Sequence, residues 1–139
     1  MISQFVQTEQ AFLVAYLSQA YANYAYPVPL VARIPIQYRP PEGEHSNLAS
    51  RGIVQGLPAV MLCAKDSPVV WIEIISRFTN PSEAQRRVHE HLADLGHIVL
   101  ICHSAAHALA DLRALGALDP VPQLPMSLES REPSERGRP

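Results

Sequence analysis

The chain has 139 residues, of which 47% are hydrophobic, and its formal net charge is −2. That length suits one domain with a short tail, and the apolar content is sufficient for a buried core. The charge excludes a chain-wide electrostatic attraction to nucleic acid, although a local basic patch remains compatible with it.

The N-terminal third predicts a helix followed by a strand. Apolar residues recur every three or four positions across residues 8–24, and Thr8 is a suitable N-cap. Pro27 is expected to end this helix. A strand is predicted over residues 28–39, in which Pro35 favours an edge position.

The central stretch predicts a β-hairpin. Two apolar runs, residues 59–64 and 69–75, flank a polar turn that contains Pro68. Glu73 is the one acid within these runs. Because burying a carboxylate without a partner is costly, Glu73 is expected either to face water or to have a functional role.

A second helix and a fourth strand follow the hairpin. Asn80 or Thr79 is a suitable N-cap for a helix that runs to residue 95, and Gly96 is suited to the position just after its end. Residues 97–103 form a short apolar run that predicts a buried strand.

The last helix is predicted over residues 105–115, with Ser104 as its N-cap. Beyond it the chain is rich in proline and charge and lacks periodicity. We therefore expect one domain over residues 1–118 and a mostly disordered tail over residues 119–139.

The order of these elements is helix, three strands, helix, strand, helix. A strand–helix–strand unit after a hairpin implies a sheet with both antiparallel and parallel neighbours, covered by helices. The fold class expected is therefore α/β (α+β), with a mixed sheet.

The cysteines and the apolar segments restrict the class of protein further. Cys63 and Cys102 each lie in an apolar run, which indicates buried thiols rather than a disulfide framework or a zinc site. No apolar stretch is long enough to span a membrane, and no secretory leader is recognisable at the N-terminus. A cytoplasmic protein is expected.

Four sequence features share an order along the chain. A Gly-Leu-Pro-Ala element at residues 56–59 leads into one strand, Glu-Ile-Ile at 73–75 ends the next, and Gln85 follows on the helix. Glu9 lies on the first helix. Together they resemble the VRR-NUC branch of the PD-(D/E)XK nuclease superfamily, whose pattern has Gly-x-Pro-Asp, Glu-x-Lys, a helical Gln and an N-terminal Glu. The resemblance covers roughly residues 8–118 and implies a restriction-endonuclease-like fold.

Two positions depart from that pattern. Ala59 stands where the family has its metal-binding Asp, and Ile75 stands where it has its catalytic Lys. The resemblance implies that the Asp and Glu hold Mg²⁺, which activates water, while the Lys positions or deprotonates that water. An alanine and an isoleucine do neither. We therefore expect a nucleic-acid-processing fold that has lost its catalytic centre, needs no cofactor, and acts by binding branched or duplex DNA or a protein.

Two alternatives remain open. The first is an active Mg²⁺-dependent endonuclease in which Glu9 and Glu73 form the metal pair and Gln85 assists. Lys65, the only lysine, lies in the hairpin turn and is too distant to replace the missing ammonium group. The second is a homodimeric interaction module in which the aromatic first helix forms the interface.

Side chains for nucleic-acid contact are suggested near these motifs. The arginines Arg77, Arg86 and Arg87, together with His45, are candidates for phosphate contact, although exposed arginines are also commonly just solvated. His103 and His107 are four residues apart, a spacing that suits a metal site on a helix, but the sequence alone offers no evident third ligand.

Overall fold

The structure is a computed structural model that describes residues 3–35, 52 and 54–119. Its helices and strands follow the predicted order. They are α1 Gln4–Tyr21, β1 Leu30–Arg33, β2 Val60–Cys63, β3 Val70–Ile74, α2 Glu83–Asp94, β4 Ile98–Cys102 and α3 Ala105–Ala114.

The four strands form one sheet in the order β1-β2-β3-β4. Val31 of β1 lies opposite Leu62 of β2. The β1–β2 pair and the β2–β3 pair are both antiparallel. Ile72 of β3 lies opposite Val60 on one side and Leu100 on the other, where β3 and β4 run parallel. Since a parallel pair needs a crossover, α2 makes that connection. The predicted mixed sheet and fold class are confirmed.

Two helices cover one face of the sheet and bury its core. α1 contacts β1 and β3, α3 contacts β3 and β4, and the two helices also contact each other. Alternate residues of β2 and β3 point towards them, as the period of a strand requires. The buried core includes Leu13, Leu17, Val60, Leu62, Ile72 and Leu112.

The first helix begins one turn earlier than the sequence pattern predicted. Its N-cap is Ser3, whose hydroxyl accepts a hydrogen bond from the Val6 amide, so Thr8 lies inside the helix. The helix ends at Tyr21, before residue 24. The early start is favoured because Val6 is buried and extends the apolar stripe by one turn.

The second helix also begins at a different cap. Ser82 caps α2, so the assignment of the cap to Asn80 or Thr79 was wrong. Ser82 and Gln85 form a reciprocal capping box, which satisfies two backbone amides where a lone Asn cap satisfies one. Ser104 caps α3 as predicted.

Some predictions fall outside the described residues. These are the part of the first strand beyond residue 35, most of the loop leading to Gly56, His45 within that loop, and the tail from residue 120. Among the helices that are described, none is both long and apolar enough to cross a bilayer.

Candidate active-site cleft

Glu73 lies at the centre of a buried polar cluster near the C-terminal end of β3. Its side chain is only 3% exposed. One carboxylate oxygen, Oε2, accepts a hydrogen bond from the Ala59 amide at 3.0 Å, and Oε1 accepts one from the Gln85 side-chain Nε2 at 3.0 Å. The structure thus brings together three of the positions on which the family resemblance was based.

Burial changes the acidity of this carboxyl group. Loss of hydration raises the pKa of Glu73 from 4.5 to about 7, while the hydrogen bond from the Ala59 amide acts in the opposite direction. Near neutral pH the group therefore exists in both protonation states.

A close backbone approach holds this cluster together. Gly56 has a φ of +93°, and a Cβ atom at this position would lie 2.6 Å from both the carbonyl carbon and the carbonyl oxygen of Ala84. Only glycine fits such a contact at that φ. Gly56 therefore allows the loop before β2 to lie against the first turn of α2, which places Ala59 and Gln85 on either side of Glu73.

The Gln85 side chain uses both ends of its amide. Its Oε1 accepts a hydrogen bond from the Ser82 backbone amide at 2.7 Å, and its Nε2 donates to Glu73. Because an amide has one acceptor and one donor group, this network fixes the orientation of the side chain. Gln85 thus positions the start of α2 and the buried carboxyl group at once.

A cleft of about 260 Å³ opens beside Glu73. Its walls include Val6 and Gln10 from α1, Ile75 just after β3, and Asn80 from the following loop. Polar side chains, backbone and apolar groups therefore all face this space. Such a mixture is typical of sites that orient a polar ligand.

Gln10 is a member of this cleft that the sequence analysis missed. It is 1% exposed, and its Oε1 accepts a hydrogen bond from Arg33 Nη2 at 3.1 Å. Its Nε2 has no hydrogen-bond partner among the described residues, which is unusual for a buried donor. The available signal was its place within the buried stripe of α1, between Val6 and Leu13.

Within the described part of the cleft, no side chain replaces the Asp or the Lys of the family pattern. Ala59 is fully buried and contributes a backbone amide, and Ile75 is half-buried at the cleft wall. Among the described residues that line the cleft, Glu73 is the one carboxylate and none is a lysine. Lys65 is exposed in the turn between β2 and β3.

Glu9 has a different partner from the one the sequence suggested. Its Oε1 accepts a hydrogen bond from the Ala105 amide at 3.1 Å, where a carboxylate also stabilises the positive end of the α3 dipole. Glu9 does not line the cleft that contains Glu73. A Glu9–Glu73 metal pair stays a prediction.

Among the described residues that line the cleft, the donor set at Glu73 does not fit Mg²⁺. This ion requires octahedral coordination by oxygen and is usually held by one or two carboxylates with water and substrate oxygens. Here both Glu73 oxygens accept N–H hydrogen bonds, and the adjacent Gln85 presents its N–H group to Glu73.

The three predicted arginines do not line the cleft, and they differ in their contacts. Arg77 and Arg86 are exposed and make no ion pair with any described residue. Arg87 donates to Glu83 at 2.6 Å, and both side chains are largely exposed. A surface pair of this kind contributes little stability but partly neutralises Arg87.

Comparisons with known proteins bear on the fold. No family model matches the chain, and no curated protein matches it. Among solved structures, it is similar to a VRR_NUC domain protein, with a TM-score of 0.60 and 15% identity over 82% of this chain and 89% of that chain. This likeness confirms a VRR-NUC-like, restriction-endonuclease-like fold. At such low identity it extends to the fold alone.

Proposed function

We propose that the protein uses its nuclease-like fold to bind nucleic acid and does not hydrolyse it by metal catalysis. The observation that carries this proposal is the state of Glu73, whose two oxygens accept hydrogen bonds from Ala59 and Gln85. Its raised pKa further weakens it as a ligand for a hard cation, since a protonated carboxyl group must lose its proton before it coordinates.

Two arginines support nucleic acid as the ligand. Arg77 directly follows Ser76, and Arg86 directly follows Gln85, while both Ser76 and Gln85 line the cleft. Exposed guanidinium groups at the rim of a cleft can contact backbone phosphates from either side. These two cations would supply a local basic patch in a chain whose net charge is −2.

Removing either Arg77 or Arg86 is expected to weaken DNA binding and to make the binding affinity less dependent on salt concentration. Arg77→Gln and Arg86→Gln should each reduce the slope of log affinity against log salt by about 1, because each removes one phosphate contact. The measurement is fluorescence anisotropy with labelled duplex and four-way-junction DNA over a series of KCl concentrations.

Arg113→Gln is the matched control for this experiment. Arg113 lies in the last turn of α3 and donates to the Tyr16 hydroxyl at 3.0 Å. Its variant loses the same charge near the far end of α3, about 12 Å along the helix from Ala105. Equal slopes for all three variants would contradict a role for the cleft rim.

Incubation of the same DNA with Mg²⁺ or Mn²⁺ tests the alternative of an active endonuclease. We expect no cleavage. Cleavage that disappears in Glu73→Ala would overturn the proposal and favour an enzyme in which Glu9 and Glu73 hold the metal.

A homodimer formed through α1 is the second candidate. Phe5 and Phe12 are 54% and 55% exposed, and they lie two helical turns apart on one face. The Phe12 and Tyr16 rings pack 6.2 Å apart on that face. An apolar face of this kind is typical of a protein interface.

Sedimentation equilibrium tests this candidate directly. If α1 forms the interface, Phe12→Ser should weaken dimerisation by more than about tenfold, as loss of a central aromatic anchor does. Phe78→Ser, at a position that is 95% exposed outside α1, should leave it unchanged. A monomer at every concentration, together with DNA binding at low salt, would exclude the dimer.

A further inference from the structure

Three side chains with metal-binding atoms meet where β4 passes into α3. Cys102 is fully buried at the end of β4, while His107 and Asp111 are partly exposed and lie one turn apart on α3. One ligand atom from each lies within 4.8 Å of the other two. This cluster belongs to neither the cleft nor the α1 surface.

Two of the distances within the cluster match tetrahedral coordination. Cys102 Sγ lies 3.6 Å from Asp111 Oδ2, and His107 Nε2 lies 3.4 Å from the same oxygen. A tetrahedral Zn²⁺ with bonds of about 2.3 Å to sulfur and about 2.1 Å to nitrogen and oxygen places these pairs about 3.6 and 3.4 Å apart. Two of the three ligand separations therefore already have the required values.

The helix that carries two of the ligands is firmly anchored. Ser104 accepts a hydrogen bond from the His107 amide at 3.0 Å, and Glu9 accepts one from the Ala105 amide. These contacts satisfy two of the backbone amides in the first turn of α3. They leave His107 and Asp111 on a rigid face, which is what a metal site requires of its scaffold.

We propose that Cys102, His107 and Asp111 bind Zn²⁺, with water in the fourth position. A thiolate and an imidazole select a thiophilic ion over Mg²⁺, and three protein ligands leave one position open. The Cys102 thiol proton passes to solvent as the sulfur–metal bond forms. His103 is not among the three residues whose ligand atoms converge.

Coordination has a consequence for the His107 ring. Its Nδ1 accepts a hydrogen bond from the His103 amide at 3.2 Å. When Nε2 binds the metal, the ring proton moves to Nδ1, and the His103 amide must release this acceptor. The His103 amide resonance in an ¹⁵N spectrum is therefore a specific reporter of metal binding.

Titration of the EDTA-treated full chain with Co²⁺, followed by displacement with Zn²⁺, tests the site. We expect one equivalent to bind with thiolate-to-cobalt charge-transfer absorption and a shift of the His103 amide. Cys102→Ser should abolish the absorption. His107→Ala should weaken Zn²⁺ binding by more than about tenfold, because loss of a residue that merely supports a ligand already costs about that much affinity. Cys63→Ser and His91→Ala, on the other free cysteine and an exposed histidine of α2, are the controls.

Absence of the absorption from the native chain, or its persistence in Cys102→Ser, would overturn the proposal. So would loss of the absorption in Cys63→Ser. Because Cys102 is fully buried, its variant can fail to fold, and His107→Ala then decides, since the His107 side chain is 42% exposed. Unchanged Zn²⁺ affinity in His107→Ala refutes the site whatever the result at Cys102.

Discussion

Gly56→Ala is expected to lower the free energy of unfolding by about 2–5 kcal/mol. A non-glycine residue at a φ of +93° costs about 1–2 kcal/mol, and forcing an extra carbon into a packed site costs about 1–3 kcal/mol. The added Cβ would lie 2.6 Å from the backbone of Ala84, which cannot move without displacing the first turn of α2. Urea denaturation followed by circular dichroism measures the loss.

Gly116→Ala separates the two contributions. Gly116 also has a positive φ, +77°, but a Cβ there would meet nothing within 4 Å among the described residues. Its substitution should cost only about 1–2 kcal/mol, from the backbone conformation alone. Equal losses at the two glycines would contradict the importance of the contact between Gly56 and α2.

Stability is expected to fall by up to about 3 kcal/mol as the pH rises from below 4.5 to above 7, because of Glu73. Its pKa is 4.5 as a free carboxyl group and about 7 in the folded chain. Between these values the folded state holds a proton that the unfolded state has lost, so raising the pH favours unfolding. Each pKa unit corresponds to about 1.4 kcal/mol. Urea denaturation at a series of pH values measures this change.

Glu73→Gln removes this titration and is the reference for the measurement. The wild type minus variant difference in unfolding free energy should decrease across the same pH window. This difference also cancels the contribution of His89, whose pKa is lowered by burial and whose effect on stability has the opposite sign. A difference that stays constant with pH would contradict a raised pKa at Glu73.

Local patterns were sufficient to predict most of the fold. Apolar runs around a polar turn located β2 and β3, and Ser104 marked the start of α3. The capping box of α2 is also present in the sequence as Ser82 and Gln85, but a search for single cap residues selects Asn80 or Thr79 and does not test for the reciprocal pair. Helix starts were therefore less well predicted than the elements themselves.

The candidate sites depended on contacts that periodicity does not encode. The family resemblance identified Ala59 by its side chain, whereas the structure uses its backbone amide as a donor to Glu73, 14 residues away. Similarly, His103 and His107 drew attention as a pair, but Cys102 and Asp111 complete the cluster only because β4 and α3 meet at a corner. Such groupings follow from tertiary packing.

The two hydrogen bonds of the Gln85 amide have a consequence for local motion. Fraying of the first turn of α2 breaks the Ser82 contact and frees the same side chain from Glu73. We therefore expect the helix start and the polar wall of the cleft to open together. A ligand that competes for the Gln85 amide would loosen the N-terminus of α2. Since α2 connects the parallel strands β3 and β4, binding in the cleft would then change the mobility of this connection.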